Sequence, residues 1–277
     1  MSIFHKKVCI ITGAAAGIGK ALCEQLAKEG AIVVATDMNE DALKRTVKGI
    51  CDRGGQCSAA VVNVTDYDVF KKCIEDTVNQ EGKLDYLFNN AGIGFAAEIQ
   101  DTEIEHWRKV LDVNLNGVIY GSLCAYKIMA KQGFGHIVNL SSVEGLIPFP
   151  LTASYVVSKF AVLGLSQSMW VEGRDLGIKV SAVCPGFVKT DIFDVTPMIG
   201  LVREKVMAAQ SKWIKFGVTP EKCAEIILKG VEKDKAIIPV TFLAKFFWFL
   251  ARINPIFVLN AIVKDFRKWR KKVRVTA

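Results

Sequence analysis

Tyr155 and Lys159 stand four residues apart in the stretch SYVVSKF, residues 154–160. In a helix this spacing places the two side chains on the same face. A free tyrosine loses its proton at about pH 10, but a neighbouring cation stabilises the phenolate and lowers the pKa. The pair could therefore serve as an acid and base, or it could be a half-buried aromatic residue beside a solvated cation.

A glycine-rich segment near the N-terminus has the composition of a phosphate-binding loop. In KVCIITGAAAGIGKAL (7–22), Gly13, Gly17 and Gly19 stand between an apolar run, typical of a buried strand, and a helical pattern. Glycine allows a positive φ and a close approach of the backbone to a pyrophosphate. The helix that follows would offer free N–H groups and the positive end of its dipole to the phosphates.

Asp37 ends the second apolar run of the chain. A carboxylate at this place can accept hydrogen bonds from both adenosine ribose hydroxyls, and it would repel a 2′-phosphate. The next residue is Met38 rather than an arginine or a lysine. The sequence therefore favours NAD as the cofactor, with NADP less favoured.

Seven apolar runs alternate with amphipathic segments, which predicts a parallel sheet covered by helices on both faces. The predicted strands are 7–12, 31–36, 57–62, 84–90, 135–142, 178–186 and 236–240. The predicted helix caps are Asn39, Thr65, a Thr102–Glu105 capping box, and Thr219 followed by Pro220. A long helix over 153–175 would carry Tyr155 and Lys159. We expect one doubly wound α/β domain over residues 1–240.

Six short motifs follow one another in a particular order along the chain. They are TGAAAGIG (12–19), NNAG (89–92), Asn114, LSS (140–142), YVVSK (155–159) and PGFVKT (185–190). Together they resemble the short-chain dehydrogenase/reductase family over residues from about 6 to about 240. The resemblance implies a Rossmann fold, a nicotinamide cofactor, and hydride transfer between that cofactor and an alcohol or a ketone.

The resemblance identifies Asn114, Ser142, Tyr155 and Lys159 as the catalytic residues. Lys159 and the positive charge of an oxidised nicotinamide would lower the pKa of Tyr155 toward neutrality, so that Tyr155 exchanges a proton with the substrate oxygen. Ser142 would hydrogen-bond the same oxygen. The family pattern further implies that Lys159 holds the nicotinamide ribose, and that Asn114 anchors a water in a proton relay.

The cofactor contacts that we predict lie in six segments of the chain. They are Gly13, Ala15, Gly17, Ile18 and Gly19 at the phosphates, Asp37, Asn63 and Val64 with Asn90 on the adenosine side, Tyr155 and Lys159, and Val188 and Thr190 at the carboxamide. Asn63 stands where the family often has an aspartate that holds the adenine amino group. The asparagine side-chain oxygen can still accept that hydrogen bond.

The loops that follow the strands are rich in apolar residues, which predicts a lipophilic alcohol or ketone of the sterol, retinoid or long-chain type. The predicted substrate contacts are Ser142, Glu144, Phe149, Tyr155, Phe187 and Phe193. Ordinary core packing is the alternative for some of the apolar residues. Two other functions compete: a carrier-protein or sugar reductase of the same family, which Asp37 and the C-terminal sequence disfavour, and a non-catalytic cofactor-binding sensor, which predicts erosion of the four catalytic residues.

Charge and cysteine usage exclude several classes of function. The net charge is +8, but residues 264–277 alone hold seven basic residues and one acidic one, so the basicity belongs to a tail. A nucleic-acid partner is therefore not expected. The eight cysteines contain no CxxC pair and the three histidines lie far apart, which predicts reduced thiols and no metal site. The N-terminal sequence runs almost at once into a strand, so we expect a cytoplasmic protein.

Residues 241–277 form an apolar and then basic extension rather than a domain of their own. Lys245, Arg252, Asn254 and Pro255 interrupt residues 241–263, so no stretch reaches the roughly 20 apolar residues of a spanning helix. The segment 242–253 could lie flat on an anionic membrane, with the apolar residues Phe246, Phe247, Trp248 and Leu250 in the acyl boundary and the tail, including Trp269, at the headgroups. The alternative is that the extension packs on its own domain or a neighbouring subunit and closes the substrate pocket.

The sequence contains two long predicted helices that could form the contact between subunits. In the family that the sequence resembles, such helices commonly pack against their symmetry mates in a four-helix interface. Here they correspond to residues 105–131 and 153–175, and Val156, Phe160 and Leu163 supply apolar surface on the second helix. We therefore expect a homodimer or a homotetramer.

Overall fold

Seven parallel strands form one sheet in the computed structural model, which describes residues 2–275 without the side chains of residues 212–214. The strands are β1 (Val8–Thr12), β2 (Ile32–Asp37), β3 (Gln56–Val61), β4 (Tyr86–Asn89), β5 (Gly135–Leu140), β6 (Ile178–Cys184) and β7 (Ile237–Pro239). Their order across the sheet is β3-β2-β1-β4-β5-β6-β7. The order reverses direction between β1 and β4, and in such sheets ligands bind in the crevice at the carboxyl ends of the strands on either side of that point.

Helices cover both faces of the sheet. They are α1 (Gly17–Lys28), α2 (Glu40–Cys51), α3 (Tyr67–Glu81), α4 (Ile104–Leu111), α5 (Gly117–Gln132), α6 (Ala153–Gly173), α7 (Ile192–Val195), α8 (Arg203–Ile214), α9 (Pro220–Glu232), α10 (Phe242–Ile253) and α11 (Pro255–Val273). Apolar side chains of α1, α2 and α9 pack in one core cluster, and those of α3, α5 and α6 pack in the other. The predicted doubly wound Rossmann fold of about seven strands is thereby confirmed.

Two of the predicted helix caps are correct, and two lie one residue away from the observed caps. Asn39 caps α2 and Thr219 caps α9, each through its side chain. Thr65 does not cap α3; Asp66 does, by accepting the N–H of Val69 at 3.1 Å. The Thr102–Glu105 box is also wrong.

The observed capping box at the start of α4 pairs Glu103 with His106. The N–H of Glu103 donates to His106 Nδ1 at 2.9 Å, whereas the Thr102 hydroxyl donates to the carbonyl of Ile99 at 2.7 Å. Each displacement has the same cause. Neighbouring residues of similar capping chemistry compete for a helix end, and the tertiary path of the chain decides between them.

A π-helical segment, Asp112–Asn116, joins α4 to α5. Such a segment holds one residue more than a regular turn and is frequent at functional sites. Asn114 lies at its centre and is fully buried. The π-helical segment therefore places a polar side chain inside the domain.

Helices α10 and α11 form a C-terminal hairpin, residues 242–273. The Asn254 side chain accepts the N–H of Phe257 at 2.9 Å and so caps the second helix. Ala244 of α10 and Val258 of α11 pack against Val143 and Ile147, which follow β5. In residues 2–275 no helix is both long and apolar enough to cross a membrane.

A buried carboxylate anchors the far end of the hairpin. Glu98, only 7% exposed, receives two hydrogen bonds from Arg270, at 2.9 and 2.6 Å, and an ion pair from Arg274 at 2.8 Å. These arginines hold the pKa of Glu98 below its usual range. The N–H of Val202 also donates to the carbonyl of Val273 at 2.7 Å. The basic tail is thus partly engaged by the domain, and the hairpin packs on the chain to which it belongs.

Candidate active site

The loop between β1 and α1 has the backbone of a phosphate cradle. Gly13 and Gly17 have φ of +67° and +54°, a region that side chains rarely adopt. A β-carbon at Gly19 would clash with the carbonyl oxygen of Gly13. The first turn of α1, residues 17–20, carries no acidic residue, and Ala16 before it offers no side-chain cap. The helix N-terminus therefore faces the loop with open N–H groups, which fits a dinucleotide pyrophosphate.

Asn90 fastens this loop to the carboxyl end of β4. Its Nδ2 donates to the carbonyl of Thr12 at 2.8 Å and to that of Gly13 at 3.2 Å. Ala15 and Ile18 of the same loop pack against the core beneath. These residues hold the cradle in place rather than projecting across it.

Asp37 is held at the end of β2 by two backbone N–H groups. Its carboxylate accepts from Ala15 at 3.0 Å and from Asn39 at 2.9 Å. Each carboxylate oxygen keeps further acceptor capacity, so ribose hydroxyls can still bind. A fixed negative charge therefore stands beside the phosphate cradle.

Asn63 and Val64 lie on the side where adenine is predicted to bind. Asn63 Oδ1 already accepts the N–H of Thr65 at 3.1 Å and its hydroxyl at 2.9 Å. An adenine amino group would have to replace one of these bonds. Val64 packs against the start of α5, where a β-carbon at Gly117 would lie 2.8 Å from Val64 Cγ2.

The segment containing Val188 and Thr190 lies beside the phosphate loop. The carbonyl of Val188 accepts the N–H of Thr190 at 2.9 Å, and Val188 forms a β-bridge with Val218. A β-carbon at Gly17 would lie 3.2 Å from Thr190 Cγ2. The structure thus brings the predicted carboxamide contacts and the phosphate loop to the same crevice.

Asn114 and Lys159 meet at Gly92, in the loop after β4. A β-carbon at Gly92 would lie 3.3 Å from Asn114 Oδ1 and 3.6 Å from Lys159 Nζ. Asn114 binds the backbone of Ile93 through both amide atoms, accepting its N–H at 2.8 Å and donating to its carbonyl at 2.9 Å. Lys159, 3% exposed, donates to the carbonyl of Leu140 at 2.8 Å. The Asn114 side chain thus fixes the loop, and the water relay stays a prediction.

Ser142 and Tyr155 complete the group of predicted catalytic residues. The Ser142 hydroxyl acts to lower the pKa of Tyr155, and Ser142 Oγ accepts the N–H of Glu144 at 3.1 Å. The Lys159 ammonium lies 5.3 Å from the centre of the Tyr155 ring. The end of β5 and one turn of α6 therefore bring a hydroxyl, a phenol and a cation together in one buried site.

The pKa values in this site follow mainly from burial. Burial raises the pKa of Tyr155 above its ordinary value, and the nearby Glu144 carboxylate raises it further. Burial also lowers the pKa of Lys159 to about 8. The protein groups alone therefore raise the tyrosine pKa. The predicted shift toward neutrality depends on the positive charge that an oxidised nicotinamide would bring.

Glu144 is a partly buried carboxylate beside the catalytic pair. Burial raises its pKa to about 7, against a hydrogen bond from Thr152 and the charge of Lys159. The Thr152 hydroxyl donates to Glu144 Oε2 at 2.6 Å. Sequence reasoning did not identify Thr152, because no motif distinguishes a threonine that precedes a helix from any other.

An apolar cavity of about 210 Å³ lies between the segment after β5, the segment after β6 and the C-terminal hairpin. Two predicted substrate contacts, Phe149 and Phe187, line it, and Phe193 stacks on Phe187 with 5.9 Å between ring centres. None of the four catalytic side chains lines this cavity. Val143, adjacent to Ser142 in the chain, does line it and so connects the two.

Other apolar residues of the predicted substrate loops serve core packing instead. Met198 and Leu201 pack in one small cluster, and Phe95 packs with Tyr155 in another. The prediction that some of these residues belong to the core is therefore correct.

Much of the cavity wall comes from α8, which the sequence did not assign to the site, and from the C-terminal hairpin, which it assigned to the site only as an alternative. These residues are Ala209, Gln210, Leu243, Phe247, Leu250, Ala261, Phe266 and Trp269. Phe247 and Leu250, which we predicted to lie in the acyl boundary, and Trp269, which we predicted to lie at the headgroups, line this interior space instead. The sequence did contain an indication of this packing. Helix α10 is apolar on more than one side, whereas a helix that lies on a membrane needs only one apolar face.

Residues 7–197 match the sequence profile of a family described as short chain dehydrogenase. The chain belongs to this family. Its members bind NAD(P), and the cradle, the acidic residue after β2 and the buried Ser–Tyr–Lys group described above occur in the matched region.

Curated relatives of this dehydrogenase carry different substrate names. A 3-oxoacyl-[acyl-carrier-protein] reductase from Thermotoga maritima is 39% identical over 224 residues, which is 80% of this chain and 89% of the relative. A cyclohexanol dehydrogenase from an Acinetobacter species is 35% identical, covering 85% of this chain and 91% of the relative. A 3beta-hydroxysteroid dehydrogenase from Mediterraneibacter gnavus is 33% identical, covering 88% and 90%.

Solved structures agree with the fold over nearly the whole chain. A short-chain dehydrogenase/reductase from Burkholderia phymatum, crystallised in complex with NAD, superposes with a TM-score of 0.83 at 28% sequence identity. The match covers 92% of this chain and 95% of that one. The dehydrogenase is thus an oxidoreductase of known architecture with a substrate that family membership leaves open.

Proposed function

We propose that this dehydrogenase transfers a hydride between NAD(H) and a lipophilic secondary alcohol or ketone. The observation that carries the proposal is the apolar cavity of about 210 Å³, which the C-terminal hairpin walls off beside Ser142. Pockets bind ligands mainly through apolar lining, with a few polar groups that fix orientation. Here the polar groups Ser142, Tyr155 and Glu144 lie in the adjoining catalytic site, which Val143 connects with the cavity.

The protein residues position the substrate oxygen and move its proton. When bound, the nicotinamide accepts or supplies the hydride. Ser142 donates a hydrogen bond to the substrate oxygen and holds it next to the Tyr155 hydroxyl. Tyr155 takes the alcohol proton during oxidation, or gives it to the ketone oxygen in the reverse direction. The Lys159 charge, one helical turn away, favours the phenolate that oxidation requires.

The NAD preference in this proposal rests on Asp37. Its carboxylate is fixed by two backbone N–H groups, so it cannot easily turn away from a 2′-phosphate. The exposed residue after it, Met38, carries no positive charge that could compensate. Repulsion of this kind disfavours NADP relative to NAD.

A carrier-protein reductase is the second candidate, because one relative with 39% identity carries that name. The catalytic group would perform the same chemistry on a 3-oxoacyl thioester. The C-terminal hairpin favours the lipophilic alcohol instead, because it adds an apolar wall to the space beside the catalytic residues. The four catalytic positions are all occupied as in an active enzyme, which disfavours a non-catalytic sensor.

The test is a substrate panel with the purified full-length enzyme. We expect NAD-dependent oxidation of cyclohexanol, of long-chain secondary alcohols and of hydroxysteroids to exceed NADH-dependent reduction of acetoacetyl thioesters and of sugars. Tyr155→Phe should retain NADH binding but lose turnover by about 10²-fold or more. Tyr126→Phe, at a partly buried tyrosine on α5, is the matched control and should keep turnover. Faster turnover of thioesters than of every lipophilic alcohol would contradict the proposal.

A second arm tests the cavity itself. Ala209 lines it, whereas Ala208, the preceding residue on α8, is exposed. Ala209→Phe should lower kcat/KM for a hydroxysteroid by about tenfold or more, because overpacking costs about 1–3 kcal/mol. Ala208→Phe should leave it unchanged. Equal effects of the two substitutions would show that the substrate binds elsewhere.

A further inference from the structure

We infer that the C-terminal hairpin docks this dehydrogenase on a lipid bilayer that contains anionic headgroups, so that the substrate cavity opens toward the lipid. The docking surface is defined by the exposed apolar residues of the hairpin and the basic residues beside them. The docking itself is independent of the proposed function. Only the route of the substrate from the lipid rests on that function.

Helix α10 is apolar on two sides. Ala244, Phe247 and Leu250 pack against the domain. A second set recurs at helical spacing and remains exposed: Phe242 (78%), Phe246 (46%), Phe249 (61%) and Ile253 (66%). Residues spaced by three and four share one face of a helix. This face is therefore a continuous apolar stripe that the domain leaves uncovered.

The stripe continues around the turn onto α11. Ile256 and Phe257 follow the turn and are 62% and 60% exposed. Leu259 and Val263 extend the apolar surface along α11, at 40% and 43% exposure. Single exposed apolar residues are ordinary, but a contiguous group of eight on one hairpin marks an interaction surface.

Basic residues accompany the apolar surface. Residues 242–275 hold nine basic residues and one acidic residue, Asp265. Arg270 and Arg274 are engaged by Glu98. The other seven are all exposed: Lys245, Arg252, Lys264, Arg267, Lys268, Lys271 and Lys272. A partner for this surface must therefore be apolar at its centre and negatively charged at its boundary.

A bilayer with anionic headgroups satisfies both requirements. Apolar and aromatic side chains enter the boundary of the acyl chains, while long basic side chains reach back to the phosphates. A second copy of the hairpin satisfies only the first requirement. Its basic residues would face those of the first copy, with one aspartate on each side to offset them. Charge complementarity thus favours the membrane over self-association.

The cavity connects with the same surface. Phe216 and Phe257 line the cavity and are 71% and 60% exposed, so both extend from the interior to the outside. Phe257 also belongs to the exposed apolar surface of the hairpin. A lipophilic molecule in the bilayer would meet the cavity at these two rings without crossing water.

The test is co-sedimentation of the full-length protein with phosphatidylcholine vesicles, with and without phosphatidylserine, at low and high salt. The apolar variant is Phe249→Gln/Ile253→Gln, and its control is Val69→Gln/Phe134→Gln, at exposed apolar residues of α3 and of the turn before β5. The basic variant is Lys268→Gln/Lys271→Gln, and its control is Lys28→Gln/Lys131→Gln. Circular dichroism and NADH binding establish that each variant is folded.

We expect binding to the anionic vesicles at low salt and much weaker binding at high salt or without phosphatidylserine. Each basic residue at an anionic surface contributes about fivefold to the partition coefficient, so the basic variant should bind about 30-fold more weakly. The apolar variant should lose at least as much, and both controls should bind as the wild type does. Wild-type protein that stays in solution with anionic vesicles overturns the inference, as does equal binding by the apolar variant. So does failure to bind combined with a change in oligomeric mass in the apolar variant, which would identify the surface as a contact between copies.

Discussion

Replacing Glu144 by glutamine should make the stability of this dehydrogenase less sensitive to pH between about 5 and 8. Burial raises the pKa of Glu144 from its ordinary 4.5 to about 7 in the folded protein. The unfolded chain therefore releases the proton at lower pH than the folded chain does. Because the folded state binds more protons in this range, wild-type stability falls as the pH rises from about 4.5 to about 7, and the loss is complete above that.

The size of the effect follows from the two pKa values. The free energy of unfolding should fall by about 2.5 kcal/mol between pH 5 and pH 8 through this group alone, since each unit of pKa difference corresponds to about 1.4 kcal/mol. Glutamine cannot ionise, and its carbonyl oxygen can accept the hydrogen bond that Thr152 now donates to Glu144. The stability of Glu144→Gln relative to the wild type should therefore increase by about that amount over the same range.

Urea unfolding at pH 5 and pH 8, at one protein concentration, measures the effect. Glu225→Gln is the control, because hydrogen bonds from Lys222 and Lys229 lower the pKa of Glu225 to about 2. Its contribution is lost only in acid, so its difference from the wild type should be the same at both pH values. A difference between Glu144→Gln and the wild type that does not change with pH would refute the assignment of a raised pKa to Glu144.

Three further expectations follow from the structure. Asp37→Ala should reduce the ratio of NAD affinity to NADP affinity by about tenfold or more, as measured by calorimetric titration with each cofactor. A wild-type enzyme that prefers NADP would contradict the role of Asp37. The exposed side chains of Val157, Phe160 and Val171 on α6 predict a homodimer or homotetramer, which light scattering at micromolar concentration should detect; a monomer alone would be evidence against it. Glu98→Gln should lower the stability by about 1–3 kcal/mol and speed tryptic cleavage in α11, because it removes the charge that pairs with Arg270 and Arg274 and leaves Arg274 only its pair with Asp101. Unchanged cleavage would contradict this role of Glu98.

The sheet could be predicted from the sequence because most of its strands are continuous apolar runs. Such a run indicates a buried strand without knowledge of its contacts with other parts of the chain. All seven strands, from Val8–Thr12 to Ile237–Pro239, lie within a residue or two of the predicted runs. The edge strand β3 is the exception in burial, with residues such as Val61 half exposed. No strand of the described chain pairs with its outer side, so its apolar character did not imply an interior position.

The site could be predicted only as a set of positions. The motifs identified which residues meet, and the structure brings Asn114, Ser142, Tyr155 and Lys159 to one buried location. The sign of the tyrosine pKa shift could not be predicted, because it depends on burial and on Glu144 as well as on the lysine. The direction of such a pKa shift can be determined only when the positions of the charges and the burial of the group are known.

The C-terminal hairpin shows a different limit. Apolar residues such as Phe247 and Phe249 are alike in sequence, yet the first lines the cavity and the second faces outward. When a helix is apolar on two sides, its sequence does not indicate which side packs against the domain. That choice follows from where the domain ends and at what angle the helix leaves it.

The π-helical segment between α4 and α5 makes the length of this stretch a determinant of the active site. The widened turn holds one residue more than an α-helical turn, so α4 and α5 keep their relative orientation while the segment accommodates the extra residue. Removing one residue from 112–116 would restore a regular helix and eliminate the turn that directs Asn114 to its two bonds with Ile93. Substitutions on the outer surface of these helices leave that turn intact, whereas one deletion removes it. The dehydrogenase therefore depends on the number of residues in this segment as strictly as on the identity of Asn114.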